Sequence, residues 1–235
     1  MLADANIAYT AMLLADPTRA CFLTMLSDGR ALPAGELARS ARVSPSVASI
    51  HLTKLVEAKL LIAERQGRHR YFRLADPTIV QLLEALATHS PPRPIRSLRE
   101  AETGKAIRFA RTCYDHLAGA LGVRITAALV QQKHLVEENR HFLVTERGTE
   151  RFLNLGIDVH ALRGQRRVFA PCCLDWSERQ YHVAGALGAA LATRCFELGW
   201  LKRLALNRAL QVTDEGFDGL RQAFDLSRAD FAKGE

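Results

Sequence analysis

Along residues 16–74 the apolar positions recur at helical spacing and then change to a strand-like run. Asp16-Pro17 predicts a helix start, with Asp as cap and Pro in the first helical position. Ala20, Leu23, Met25 and Leu26 supply its apolar stripe, and Asp28-Gly29 ends it. A short helix is expected over residues 33–40, with Glu36 early and Leu37 and Ala38 inward. Ala41-Arg42-Val43 is a tight connection, after which Ser44-Pro45 opens a third helix. The inward positions of that helix are Ala48, Leu52 and Leu55, at i, i+4 and i+7. Two short helices joined by so short a turn predict a helix-turn-helix. Residues 61–65 and 71–74 then read as two short strands. The polar, Gly-containing stretch 66–70 between them reads as a hairpin tip, so a "wing" is expected.

The second half of the chain repeats itself. Tyr114-Asp115-His116-Leu117-Ala118-Gly119-Ala120-Leu121-Gly122 matches Gln180-Tyr181-His182-Val183-Ala184-Gly185-Ala186-Leu187-Gly188. Leu143-Val144-Thr145-Glu146-Arg147-Gly148 matches Gln211-Val212-Thr213-Asp214-Glu215-Gly216. The offset between the two histidines is 66 residues. Each copy is expected to run helix, connection, short strand and a second helix capped by Thr145 or Thr213. The fold class that follows is mainly α with small β-hairpin wings. It has an N-terminal winged helix-turn-helix and a C-terminal domain of two degenerate winged-helix-like repeats. Ser90-Pro91-Pro92-Arg93-Pro94 cannot continue a helix. The expected domains are therefore 1–90, a connecting segment 91–112, and a duplicated sensing or dimerising domain 113–235.

Composition narrows the class without naming a partner. At 235 residues, 48% hydrophobic and 24% charged, the chain is neither disordered nor a disulfide scaffold. Its five cysteines are an odd, scattered set that suggests reduced thiols. MLADAN at the start lacks a basic run before an apolar stretch, so no signal peptide is expected. The apolar run from Tyr181 to Thr193 is well short of the ~20 residues of a membrane span. A cytoplasmic protein is the expectation.

The net charge of +7 implies an anionic partner, and its distribution says where. Residues 1–112 carry 16 Lys and Arg against 10 acids, whereas residues 172–235 carry eight against nine. Residues 65–73 alone hold four Arg and no acid. A helix in the major groove reads base edges while a basic hairpin beside it neutralises phosphates. The expected DNA-binding set is Ser44, Ser46, Ser49, Ile50, His51, Thr53 and Lys54 on the third helix, with Arg65, Arg68, His69 and Arg70 on the wing.

Residues 16–75 carry an ordered string of motifs. They are Asp-Pro-Thr-Arg at 16–19, Glu-Leu-Ala at 36–38, Val-Ser-Pro-Ser at 43–46, His-Leu at 51–52, Leu-Val-Glu-Ala at 55–58 and Gly-Arg-His-Arg-Tyr-Phe-Arg-Leu at 67–74. This string resembles the arsenic-repressor (ArsR/SmtB) family of bacterial winged-helix regulators. The resemblance implies a homodimeric repressor that binds a palindromic operator on double-stranded DNA and releases it when an inducer binds. It also implies dimer contacts by the segments around residues 5–14 and 77–88, the latter through Ile79, Leu82, Leu83 and Leu86. Two family features are missing. No Cys lies in residues 32–38, and Asp76, Glu84 and His89 do not have the spacing of the family's zinc ligands. The Asp-His-Leu-Ala-Gly and Cys-Leu-Asp-Trp strings resemble a subgroup with an appended C-terminal domain.

In that appended half, thiols, imidazoles and carboxylates gather near the start of each copy. Cys113, His116, Cys172, Cys173, Asp175 and His182 form a candidate set for a thiophilic metal or metalloid ion. Packing of the copies about a pseudo-two-fold would bring Cys113 and His116 together with Cys173 and His182. Core packing or thiol oxidation would use the same cysteines differently. A thiol- and His-dependent enzyme is the alternative from chemistry, and a winged-helix protein-interaction module the alternative from fold. No Gly-rich phosphate loop, nucleophile elbow or paired-carboxylate pattern supports catalysis, so a non-enzyme is expected.

Overall fold

In the computed structural model, which describes residues 5–67, 69–91, 94–204 and 207–232, capping side chains set the helix starts of the N-terminal region. The chain divides into two compact units, Met1–Leu83 and Glu84–Glu235. In the first unit Asn6 caps helix α1 (Ile7–Leu14). Asp16 caps α2 (Pro17–Met25) by accepting from the Arg19 N–H at 2.9 Å. Arg19 in turn donates to the Met12 and Leu13 carbonyls, closing the C-terminal end of α1. A 3-10 turn at Leu26–Asp28 ends at Gly29, where φ is 77°. Strand β1 (Leu32–Pro33), helix α3 (Ala34–Ala41) and helix α4 (Pro45–Glu57) follow. Ser44 caps α4 by accepting from the Val47 N–H.

Ala48, Leu52 and Leu55 of α4 pack into a core with Phe22, Leu23, Leu26 and Leu37. Strands β2 (Leu61–Gln66) and β3 (His69–Leu74) form the wing hairpin, and β1 adds to β3 to give the order β1-β3-β2. The wing strands reach further towards the tip than their sequence pattern predicts. The two-residue β1 has no alternation to betray it, and its Pro33 suits a sheet edge. Helix α5 (Thr78–His89) contains the point where the chain passes from one unit to the other.

The second unit begins with the last turns of α5 and helix α6 (Leu98–Phe109), capped by Ser97. One series of elements then runs β4 (Arg111–Cys113), β5 (His116–Ala118), α7 (Gly119–Gln131), β6 (Leu135–Glu138), β7 (His141–Val144) and α8 (Glu146–Asn154). After the short α9 (Val159–Arg163) comes a second series. It runs β8 (Cys172–Leu174), β9 (Tyr181–Val183), α10 (Gly185–Glu197), β10 (Leu201–Arg203), β11 (Leu210–Val212) and α11 (Asp214–Phe224). Helix α12 (Arg228–Ala232) closes the described chain. The order hairpin, long helix, hairpin, capped helix is the same in both series. Each begins with a hairpin that the sequence pattern does not announce, because its strands are only three residues long.

The correspondence extends to single hydrogen bonds. Thr145 accepts from the Gly148 N–H and Thr213 from the Gly216 N–H, both at 2.9 Å. Each threonine hydroxyl also donates back to the loop before its hairpin, to Lys133 and Gly199 respectively, both at 2.8 Å. One core serves both series, with Leu121, Leu129, Phe152, Leu187 and Phe224 wholly or almost wholly buried. The cap glycines lie directly under backbone. A Cβ on Gly148 would stand 2.1 Å from the His134 carbonyl oxygen, and one on Gly216 would stand 2.2 Å from that of Trp200. Backbone cannot swing aside as a flexible side chain does. Gly216→Ala is therefore expected to destabilise the second unit by about 1–3 kcal/mol or more, measured by urea unfolding.

Candidate DNA interface and candidate metal centre

The α4 side chains that do not enter the core are displayed on its outer face. Ser44, Ser46, Ser49, Ile50, Thr53 and Lys54 are all exposed, with Ile50 at 57%. His51 is different. Its Nδ1 lies 3.5 Å from Asp16 Oδ1 and 3.3 Å from Arg19 Nη1, so it braces α4 against the cap of α2.

On the wing, Glu64 pairs with Arg73 at 2.7 Å, which neutralises one of the four arginines. Arg65 and Arg70 face each other across the β2–β3 ladder. Like charges directly opposite on a hairpin repel, and an anion laid along the wing relieves that repulsion. Arg70 stands 5.1 Å from the Phe72 ring centroid, which supports its long side chain. His69 is exposed, and Arg68 lies outside the described residues. Two surface depressions mark the same region, one lined by Ala63, Arg65, His69 and Arg70, the other by Ser49, Ile50, Thr53, Lys54 and Glu57.

The second unit brings four of its six predicted ligands together. Cys113 lies opposite His116 on the β4–β5 ladder, and Cys173 lies opposite His182 on β8–β9. Ligand atoms of all four residues lie within 4.8 Å of one another. The His116 and His182 ring centroids are 5.1 Å apart. The two hairpins reach this arrangement differently. The first turns through only Tyr114 and Asp115, with Tyr114 in the left-handed region at φ 58°. The second spends eight residues, 174–181, between its Cys and its His.

Cys172 and Asp175, expected in the same set, do not join it. Successive side chains on a strand point to opposite faces, so Cys172 turns away from Cys173 and packs against the hydrophobic core. Burial raises its thiol to about 11. Asp175 supports the centre from outside. Its Oδ2 accepts from Arg111 Nη2 at 2.9 Å and from the Gly119 N–H at 2.6 Å. Its Oδ1 accepts from the Ser177 N–H and hydroxyl and from the Glu178 N–H. Burial opposes ionisation, but Arg111, the Ser177 and Gly119 hydrogen bonds and nearby His182 together outweigh it and hold the Asp175 carboxyl well below the usual range.

Arg111, fully buried, extends the network. It stacks 4.8 Å from the Trp176 ring centroid and lies 3.5 Å from Glu84, which pairs with Arg208 at 2.7 Å. Neither Arg111 nor Glu84 is singled out by any motif. A lone Arg in RTC gives no signal of burial, and its partner Asp175 is 64 positions away.

The carboxylates reach the histidines as well. Asp175 Oδ2 lies 3.6 Å from His182 Nδ1, and Asp115 Oδ1 lies 3.5 Å from His116 Nδ1. Burial would raise Asp115, but hydrogen bonds from Arg167 hold it at about 2. Both ring nitrogens of both histidines are buried and meet no partner in normal hydrogen-bond geometry among the described residues, their polar neighbours being the carboxylates and the Cys113 thiol. A hydrogen bond to Cys173, together with burial, pushes the Cys113 thiol up to about 12.

A solvent-facing helix beside a basic hairpin, carried on a helix-turn-helix, defines a DNA-binding winged-helix regulator. A sequence profile described as "Helix-turn-helix domain" matches residues 14–63. The HTH-type transcriptional regulator YdfF of Bacillus subtilis, described as uncharacterized, is 49% identical over 211 residues. That match covers 90% of this chain and 93% of YdfF. The HTH-type transcriptional regulator NmtR of Mycobacterium tuberculosis is 35% identical over 88 residues, or 37% of this chain and 72% of NmtR. Among solved structures, the cadmium metal-sensor CMTR of Mycobacterium tuberculosis aligns at 30% identity and a TM-score of 0.29. It covers 40% of this chain and 100% of its own. The chain belongs to the HTH-type transcriptional regulators, and is a regulator of transcription, not an enzyme.

The buried Arg111–Asp175 pair gives the site its most sensitive point. Asp175→Asn leaves the Arg111 charge buried without its main partner. The expected cost is about 3–5 kcal/mol of stability in the second unit, measured by denaturant titration.

Proposed function

We propose that this chain is a homodimeric repressor that reads a palindromic operator with α4 and the wing and releases it when the second unit senses an effector. The observation that carries the reading is the division of labour on α4. Its apolar stripe is wholly committed to the core, while Ser46, Ser49, Ile50, Thr53 and Lys54 are held in solvent beside Arg65 and Arg70. Short polar side chains on such a face suit base edges, and the guanidinium groups suit phosphates. Exposed apolar side chains on α1, Ile7 at 60%, Tyr9 at 46% and Met12 at 62%, support self-association. On α5, Leu82 and Leu86 are exposed and join this reading, whereas Ile79 is buried and belongs to the core. No helix among the described residues is long and apolar enough to cross a membrane, and we place the repressor in the cytoplasm with its DNA.

The test is a salt series of gel shifts on the gene's own promoter DNA and on random DNA. The promoter is expected to bind more tightly than random sequence, and equal affinity for the two would rule out operator recognition. Arg70→Ala is expected to weaken both complexes about equally and to lower the salt slope by about 1. Ser49→Ala is expected to cost about 1–3 kcal/mol on the operator and little on random DNA. Self-association has its own readout. Met12→Glu is expected to convert the dimer to monomer in sedimentation experiments while leaving each chain folded.

A further inference from the structure

We propose that Cys113, His116, Cys173 and His182 form a closed four-coordinate centre for one divalent ion of the zinc class. The proposal deepens the reading above by naming the class of effector, and it rests on that reading only for its regulatory consequence.

The donors are already gathered. Each hairpin supplies one Cys and one His from a single cross-strand pair, and the four ligand atoms lie within 4.8 Å of one another. Around a zinc-class ion, with bonds of roughly 2.3 Å to sulfur and 2.0 Å to nitrogen, tetrahedral donors stand about 3.3–3.8 Å apart. Small side-chain movements close that gap. Two thiolates and two imidazoles suit a borderline-soft cation and disfavour magnesium or calcium, which take oxygen ligands.

The burial of the donors and the groups around them point to a ligand as well. Four buried imidazole nitrogens that meet no partner in normal hydrogen-bond geometry among the described residues are an expensive arrangement for a site meant to stay empty. Each ring also faces one carboxylate from its Nδ1 side, Asp115 at 3.5 Å and Asp175 at 3.6 Å. Carboxylates in that position orient metal-bound histidines and raise their basicity. Asp175 is itself fixed by Arg111, Gly119 and Ser177, and Asp115 by Arg167. Binding is balanced by the loss of protons. Each thiol gives one proton to solvent, and a protonated imidazole gives its own, so at least two leave for each ion bound. Four protein donors leave no open coordination position, which suits binding and excludes use of the ion on a substrate.

The experiment uses the full chain, purified under reducing conditions, stripped by a chelator and checked for folding by circular dichroism. It is titrated with cobalt(II) and then with zinc(II). The expected result is one cobalt ion per chain, with tetrahedral visible absorption and sulfur-to-metal charge transfer, both erased by stoichiometric zinc. Cys113→Ser and Cys173→Ser are each expected to lose the charge-transfer signal in large part, whereas Cys172→Ser keeps it. Asp115→Asn, which retains all four donors, is expected to weaken binding by about 10–100-fold. A folded wild-type chain that takes up no stoichiometric cobalt overturns the proposal, whatever the variants do. So does a Cys113–Cys173 disulfide as the sole chemistry of the pair, or an unchanged signal in both cysteine variants. Gel shifts on promoter DNA with and without zinc separate the two readings. An ion that binds as described without altering operator affinity sustains the centre and removes its effector role.

Discussion

The second unit is organised around a charge pair taken out of water. Arg111 and Asp175 are both fully buried, and isolated ions in such a place are unaffordable. The pair persists because the carboxylate is almost saturated with donors, from Arg111, the N–H of Gly119 at the head of α7, and the loop after β8. Those three attachments belong to the first hairpin, the first long helix and the second hairpin. One carboxylate therefore sets the spacing between the two series of elements. The convergence of Cys113, His116, Cys173 and His182 depends on that spacing, since each hairpin alone brings only one cysteine and one histidine.

The first unit is governed by a different compromise. Its core is small, and α4 commits every inward position to it, so whatever the helix does for function falls to side chains that add little to stability. The wing goes further and places Arg65 against Arg70 on one rung. A hairpin selected for stability alone would put opposite charges together, as this one does on the diagonal between Glu64, opposite Tyr71, and Arg73, opposite Ile62. The local repulsion is modest for a free hairpin in salt solution and is reversed when an anion lies along it.

Much of this was legible in the sequence wherever a strong local rule applied. Asp16-Pro17 and Ser44-Pro45 mark helix starts, and the stripe at Ala48, Leu52 and Leu55 marks the face that is buried. The internal repeat makes the pairing of Cys113 and His116 with Cys173 and His182 readable from the sequence. Local rules failed where three-dimensional partners decide. Three-residue strands leave no period to detect, so β4–β5 and β8–β9 were invisible. Cys172 and Cys173 look equivalent in sequence, and only the strand's alternation separates them. His51 reads from the sequence as a contact to the DNA backbone, and its closeness to Asp16 and Arg19, more than 30 positions earlier, is not legible there. Arg111 carried no signal because its burial depends on an acid supplied by the other copy.

The matched hairpins have a further consequence, which concerns dilution. A centre whose halves come from two separate chains comes apart as the protein is diluted, and its occupancy then reports concentration as much as ligand. Here both halves lie on one chain, joined through a packed core, and each meets the other at a fixed effective concentration. Whatever occupies the space between Cys113 and Cys173 answers to the ligand in solution and not to how many copies of the protein the cell contains.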